Sequence, residues 1–408
     1  MNSQIQQRIN YQSIINQKLS KKTSSLQFLP DCLVAISHTK LIEWKGKKIK
    51  SSYLIDIVHT LLLKYYFKGE NKFALNALVL KDRYGYLYKL YIDYLLEIKT
   101  ISLVSNYRAG RTSRVYALNS AVFKEQIQRV NNTDKTLLKK YKKKIFDSFE
   151  FVEGSNSSIE IGVREKLIGD LFSVTIDAER SLVFLNSLPK SDLNMYNRNI
   201  YSVESINNKH IFYHFDIYGR LHTNFTILKT FIRQNCLQIG GEETSELDIK
   251  NSQPLFLAKL IKDSGTVWVS EGEFSIFRQL VCTGKFYDYI VQNSEVKKGS
   301  VKELVYRVLF GHNRSNSKAD LVFKSLFPTI HHFIKLYKQE FGNYKVLAHQ
   351  LQRAESDLIY NKIVKKIMSS QPEIKIITIH DSLIFASRWR SVVERIFYAE
   401  LSSELDLN

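Results

Sequence analysis

Cysteine, proline and glycine are scarce in this chain: 408 residues hold 3, 5 and 16 of them. Cys32, Cys236 and Cys282 are isolated, odd in number and form no C-x-x-C pair, which argues against a disulfide framework and a zinc site and for a reducing compartment. So few helix breakers among 44% apolar and 24% charged residues describe a folded, helix-rich protein with room for several domains. No apolar run reaches the roughly 18 residues of a membrane span. Leu61 to Phe67 comes nearest, and Lys64 interrupts it, so it reads as part of a buried helix. The polar start Met1-Asn2-Ser3-Gln4 lacks the apolar core of a signal peptide. The expectation is a soluble cytoplasmic protein with no membrane partner. A Gly-rich phosphate or dinucleotide loop is missing too; Gly240-Gly241 stands alone and reads as a hairpin turn feeding Leu247-Asp248.

Acid is also in deficit. Against 59 Lys+Arg there are 40 Asp+Glu, a formal net charge of +19. Self-repulsion on that scale is relieved by a polyanion, which makes nucleic acid the expected partner. The basic residues are not evenly spread. Apolar spacing predicts helices over Tyr53 to Phe67, Asn71 to Leu80 and Tyr86 to Ile98. Two alternating strands follow, Ile101 to Tyr107 and Ser113 to Leu118, around the basic turn Arg108 to Thr112. Three helices and a basic hairpin are the plan of a winged helix, so residues 1–118 read as an accessory domain. Arg108, Arg111 and Arg114 are its candidate phosphate contacts, although such domains also serve as protein-docking modules. Residues 119–152 read as a long charged helix containing Lys139-Lys140-Tyr141-Lys142-Lys143-Lys144, 154–158 as a linker, and 159–185 as helical again. Pro189 to Tyr201 reads as a polar loop. Beyond it, Arg220, His222, Thr223, Lys229 and Arg233 cluster beside aromatics, a donor set suited to a sugar–phosphate backbone.

The scarce acids include two placed where strand-like runs end: Asp248 in Glu246-Leu247-Asp248-Ile249, and Asp381 in Ile377-Thr378-Ile379-His380-Asp381-Ser382-Leu383. Two remote aspartates on adjacent strands need cations, and the simplest arrangement is Mg²⁺ facing substrate phosphates. Between them, Lys298, Lys302, Tyr306 and Phe310-Gly311 recur at steps of four, so one helical face carries cations and rings. Attack of a hydroxyl on a phosphorus builds charge on the attacking and leaving oxygens together. Two Mg²⁺ ions, or Mn²⁺ in their place, held by Asp248 and Asp381 stabilise both. Lys302 then meets the β/γ-phosphates, with Lys298 and His312 as further phosphate candidates, and Tyr306 stacks near the base.

From Gly219 onward, over about half the chain, these segments resemble the palm and fingers of family A DNA polymerases and the related single-subunit phage RNA polymerases. Asp248-Ile249-Lys250-Asn251-Ser252-Gln253-Pro254 is similar to the palm motif, Lys298 to Gly311 to the fingers helix, and His380-Asp381-Ser382 to the second palm motif. Gln352-Arg353-Ala354-Glu355-Ser356-Asp357 resembles the helix that reaches the primer–template minor groove. The likeness implies an α+β right-hand polymerase with an antiparallel palm sheet and helical fingers and thumb. A thumb-like region would span 119–205, palm 206–261, fingers 262–345 and second palm part 346–408. It further implies nucleotide contacts from Lys298, Tyr306, Phe310, Gln253 and His380, a minor-groove contact from Gln352, and catalysis by Asp248, Asp381 and Lys302. The substrates would be a primer–template, DNA by preference, and nucleoside triphosphates. Gln253 replaces the family's acid, Leu255 and Lys298 replace arginines, Phe310 replaces a tyrosine, and Tyr344 and Ala348 stand where template-side arginine and asparagine are expected. Gln253 and Phe310 favour dNTPs, while Ser382 leans to the RNA-polymerase side. About 200 residues before the palm are too few for a thumb, a winged helix and a full proofreading exonuclease, so proofreading is not expected. A primase-like or RNA-synthesising enzyme and a non-catalytic replication-initiation protein remain the alternatives.

Overall fold

The computed structural model describes residues 22–108, 112–143, 159–189, 193–313 and 317–405. The chain forms two compact units interleaved along the sequence. One is built from residues 1–155, 174–212 and 223–241, the other from 156–173, 213–222 and 242–408. Antiparallel strands and helices occupy both, an α+β composition.

In the first unit, the helix Ser51–Lys68 carries a buried apolar face (Leu54, Val58, Leu61, Leu62) and stops at Gly69, whose φ of 66° provides the left-handed cap. The strand Lys72–Leu75, the helices Ala77–Tyr84 and Tyr88–Glu97, and the strands Ile101–Ser105 and Arg114–Leu118 follow in order. The three strands align antiparallel with Arg114–Leu118 in the centre. The expected helix over 71–80 is therefore part strand. Phe73 points into the core between exposed neighbours, and the Asn76 side chain accepts from the Leu78 and Val79 N–H groups, so helix begins only at Ala77. Asp56, 2% exposed, ties this segment together. Its carboxylate accepts from Gln27 (2.6 Å), from Arg83 through two nitrogens and from the Tyr84 hydroxyl (2.7 Å).

Two further expectations fail in this unit. Residues 119–152 are not one helix: Ile127–Asn132 is a strand paired antiparallel with Ser25–Pro30, and helix is present from 135 to 143. Within the polar stretch 189–201, residues 193–201 are not loop but belong to the helix Leu193–Asn207, which buries Asn197, Asn199, Ser202 and Ser205 beside Val203 and Ile206. Asn197 donates to Tyr66 Oη (2.9 Å) and Glu125 O (2.8 Å), and Asn199 Oδ1 accepts from the Lys229 N–H (2.8 Å), so hydrogen bonds replace apolar burial there. The linker read at 154–158, Arg111 and Lys144 lie outside the described residues.

In the second unit, the strand Ser382–Ala386 lies between Ile376–Ile379 and Glu242–Asp248, antiparallel to both. Its five residues and the four of Ile376–Ile379 are all buried, which fits their composition, apolar but for Thr378 and Ser382. The ammonium of Lys166, on the helix Ile161–Leu171, donates to Asp170 Oδ2 (2.7 Å) and to Ile374 O (2.7 Å). Asp170 in turn accepts from the Ile376 N–H (3.0 Å), so a fully buried ion pair anchors the strand leading to Asp381. Helices Ser252–Asp263, Glu271–Cys282, Phe286–Gln292, Val301–Phe310, Lys318–Leu326 and Pro328–Glu340 follow the strand Glu242–Asp248. Then Val346–Ser356 continues through a π-helical stretch, Asp357–Val364, into Lys365–Ser370.

Candidate active site

The second unit brings the segments bearing the two sequence-predicted aspartates together. Asp248 ends its strand directly opposite Ser382, and Asp381 occupies the two-residue connection between Ile379 and Ser382. The Ile249 N–H donates to Asp381 O (3.2 Å), joining the two acid-bearing segments just past the last rung. A two-residue hairpin needs positive φ, and His380 supplies it at 54°. Asn251, three residues after Asp248, is also left-handed, at 55°. Neither is glycine, and backbone held off its minimum beside both acids is the kind of strain that collects at working sites.

Charge converges on this hairpin from other segments. The Asp381 carboxyl is pushed up to about 6, by burial first and then by Glu355, with Lys302 opposing and Asp248 adding. Tyr306 is pushed up to about 12 by burial and by the negative charges of Asp381 and Glu355. It shares a side-chain hydrogen bond with Tyr287 and packs 5.2 Å from the Phe310 ring. The Lys302 ammonium lies 5.6 Å from the Tyr306 ring centre, one helical turn earlier. Thus Lys302, Tyr306 and Phe310 share one face of the helix Val301–Phe310, as their spacing predicts. Gly311 must follow, because a Cβ there would stand 2.3 Å from the Arg307 carbonyl oxygen.

Glu355 is the group the sequence reading passed over. It is 2% exposed and accepts from Arg220 and, through Oε2, from Ser252 (2.5 Å) and Gln253 Nε2 (2.6 Å). Its signal was available: it interrupts an apolar stripe, Leu351-Glu355-Ile359, at helical spacing, where an acid is costly unless paired. Tyr287 had no comparable mark.

Other predicted residues are placed differently. Lys298 precedes the helix, in a 3₁₀ turn ending at Ser300, and its ammonium faces Asp288 at 3.5 Å in solvent. Gly299 interrupts the regular face that steps of four suggested. Arg220 is held against Glu355 rather than presented outward. His222 bonds Asp216 (2.9 Å), and its ring meets that of His380 edge-on at 5.9 Å. Gln253 is buried, Gln352 half-buried, and the His312 ring lies against that of Tyr344 with centres 3.8 Å apart and planes tilted by 30°. Ser382 donates to Glu246 (2.8 Å). Thr223, Lys229 and Arg233 belong to the first unit. There Thr223 is fully buried and caps the short turn Asn224–Ile227 by accepting from the Phe225 N–H, which leaves it no free donor surface.

The chain matches no protein-family model, and no curated protein is significantly similar to it.

Among the described residues, no three His, Cys, Asp or Glu side chains form a ligand set for a metal ion. Asp248 and Asp381 nevertheless suit Mg²⁺. They are hard oxygen donors, and Asp381 sits in an excess of negative charge that a divalent cation relieves. Mg²⁺ is habitually bound by one or two carboxylates and completes its shell with water and substrate phosphate oxygens. Among the described residues, no helix is long and apolar enough to cross a membrane.

Proposed function

We propose that the protein is a template-directed nucleotidyltransferase, a compact DNA polymerase extending a primer 3′-hydroxyl with dNTPs and lacking a proofreading exonuclease. The observation that carries this reading is Asp248 at a strand end beside the hairpin turn that holds Asp381, with Lys302 and Tyr306 acting electrostatically on Asp381 from a helix between them in sequence. In this reading, the strands bearing the aspartates are the palm and the helices over 262–345 are the fingers.

Asp248 and Asp381 would hold Mg²⁺, which when bound supplies charge stabilisation to the attacking and leaving oxygens. Lys302 meets the β/γ-phosphates as a point charge. Tyr306, held by Tyr287 and Phe310, offers a ring face tolerant of base identity. Glu355, whose charge acts on Asp381, holds Arg220, Ser252 and Gln253 in place. The helix–strand–helix–helix–hairpin order over 51–118 supports a winged-helix-like module that grips nucleic acid through Arg108 and Arg114. Ser382, engaged with Glu246, keeps open an RNA-synthesising or primase-like enzyme as the second reading.

The test offers primed and unprimed DNA templates with Mg²⁺ and either dNTPs or NTPs, and resolves products by length. Asp381→Asn and Asp248→Asn are expected to abolish incorporation while leaving primer–template binding intact. Full incorporation by either variant removes that residue from the metal role. Preferential use of NTPs transfers the protein to the second reading, and no product under any combination rejects both.

A further inference from the structure

Lys338, on the helix Pro328–Glu340, is 2% exposed, and among the described residues it forms no ion pair with a carboxylate. Its ammonium donates to Val308 O (2.7 Å) and Gly311 O (3.0 Å), at the carboxyl end of the helix Val301–Phe310. Those carbonyls carry the negative end of the helix dipole, and a cation there satisfies acceptors that the helix itself leaves open. Lys335, one turn earlier, donates to Asn313 O (3.0 Å) while Asn313 Nδ2 donates back to Lys335 O (3.0 Å), so the same helix grips the following residues as well. Asp320, the nearby acid, pairs with Lys335 at 2.8 Å and with His331 at 3.3 Å.

A methionine would fill the space of Lys338 without desolvating a charge. The charge therefore needs a reason, and its contacts point to one helix end. That helix carries Lys302, whose charge acts on Asp381, and Tyr306, which feels the charges of Asp381 and Glu355 and packs on Phe310. We propose that Lys338 is a positioning residue for nucleotide capture, its buried ammonium fixing the carboxyl end of Val301–Phe310 so that Lys302 and Tyr306 meet the triphosphate and base. This rests on the nucleotidyltransferase reading above. The site's grip on nucleotide then depends on a charge that contacts no substrate. Burial first, then Lys335, lowers the Lys338 ammonium to about 8, with Asp320 opposing, so the charge is lost within an accessible alkaline range.

The experiment compares the full chain as wild type, Lys338→Met and Lys338→Arg, with primed DNA, Mg²⁺ and dNTPs. Steady-state incorporation yields KM and kcat, and thermal melting yields the shift produced by the triphosphate. Lys338→Met is expected to raise the nucleotide KM about tenfold and lose most of the triphosphate-induced shift, with primer–template affinity held within about twofold. Lys338→Arg, charged at every working pH, restores KM. The wild-type KM rises as pH passes through about 8, whereas Lys338→Arg holds its KM to higher pH. A Lys338→Met protein that melts earlier but keeps the wild-type KM and pH profile has lost only a helix cap, which overturns the proposal. Should the methionine variant fail to fold, parallel pH profiles of wild type and Lys338→Arg overturn it on their own. A wild type that neither binds nor incorporates any nucleoside triphosphate overturns the functional reading and this inference together, an outcome distinct from failure at Lys338 alone.

Discussion

Glu355 and Lys302 illustrate two ways a charged side chain is used near the same hairpin. Glu355 has almost no solvent and three donors, Arg220, Ser252 and Gln253, so its charge is balanced by contacts that also fix those residues. Removing one partner of a buried charged network strands the others. Glu355→Ala is expected to cost about 3–5 kcal/mol, read from the urea midpoint, and Glu355→Gln markedly less because it keeps the shape and one acceptor. Equal losses from the two substitutions would mean that the charge alone carries the effect and that shape and the remaining acceptor contribute little. Lys302 is exposed and lies over the Tyr306 ring, so stability gives it nothing to defend. Lys302→Ala should leave stability within roughly 0.5 kcal/mol while raising the nucleotide KM or slowing the chemical step in nucleotide titrations. Wild-type kinetics in that variant would reduce Lys302 to a solvated lysine.

Among the elements, the strand Ser25–Pro30 is held on one side by Ile127–Asn132 and on the other by imidazoles. The Leu26 N–H donates to His210 Nε2 (3.2 Å) and the Phe28 N–H to His59 Nδ1 (3.1 Å), two bonds that only neutral histidines can accept. Burial pushes His59 down to about 4, and burial together with Lys22 lowers His210 further still. Both folded values lie below the unfolded one near 6.5. Their stabilising effect is therefore complete above that pH and is lost as the unfolded chain, but not the folded one, takes up protons. Stability should fall between about pH 6.5 and pH 4, by on the order of 3 kcal/mol for His59 alone. His59→Gln, which can keep an acceptor without titrating, should flatten that slope in urea denaturation; an unaltered slope would clear His59 of the effect. No hydropathy pattern announced these contacts. Elements whose inward face is apolar, such as Ser51–Lys68 and the hairpin from Ile376 to Ala386, are legible from their periodicity. The helix Leu193–Asn207 buries asparagines and serines instead, and Ile127–Asn132 is a strand only because Ser25–Pro30, about a hundred residues earlier, supplies its partner. The site follows the same rule. Asp248, Asp381, Lys302 and Tyr306 sit at local marks, a strand end, a turn and a helical step, whereas Glu355, Tyr287 and the engagement of Arg220 arise from contacts between distant segments.

For the whole molecule, the dominant fact is a net charge of +19. Some of its acids are committed internally: Asp56, Asp170 and Glu355 are buried in hydrogen-bonded or paired arrangements, and Glu204, Asp134 and Glu404 pair with cations. With 59 Lys+Arg against 40 Asp+Glu, the acids cannot match the bases one for one, and a polyanion would make up the difference. In the first unit, the hairpin after Ile101–Ser105 carries Arg108, bridged to Thr112 in both directions at 3.0 Å, with Tyr107 exposed beside it and Arg114 opening the return strand. A basic tip with an exposed ring suits a phosphate backbone and its bases. Each phosphate neutralised releases counterions, so the logarithm of the binding constant should fall with the logarithm of salt concentration, by about 0.9 per contact on duplex DNA. Changing Arg108, Arg111 and Arg114 together to alanine is expected to weaken binding to every sequence alike and to make the salt slope shallower by about 0.9 for each arginine that meets a phosphate. Fluorescence anisotropy across a salt series measures both. A slope unchanged by the triple substitution would reject the hairpin as a phosphate contact. The charge would then have to act through the other unit or the lysines of 139–143, and the exposed ring and arginines would fit a protein-docking surface better than a nucleic-acid one.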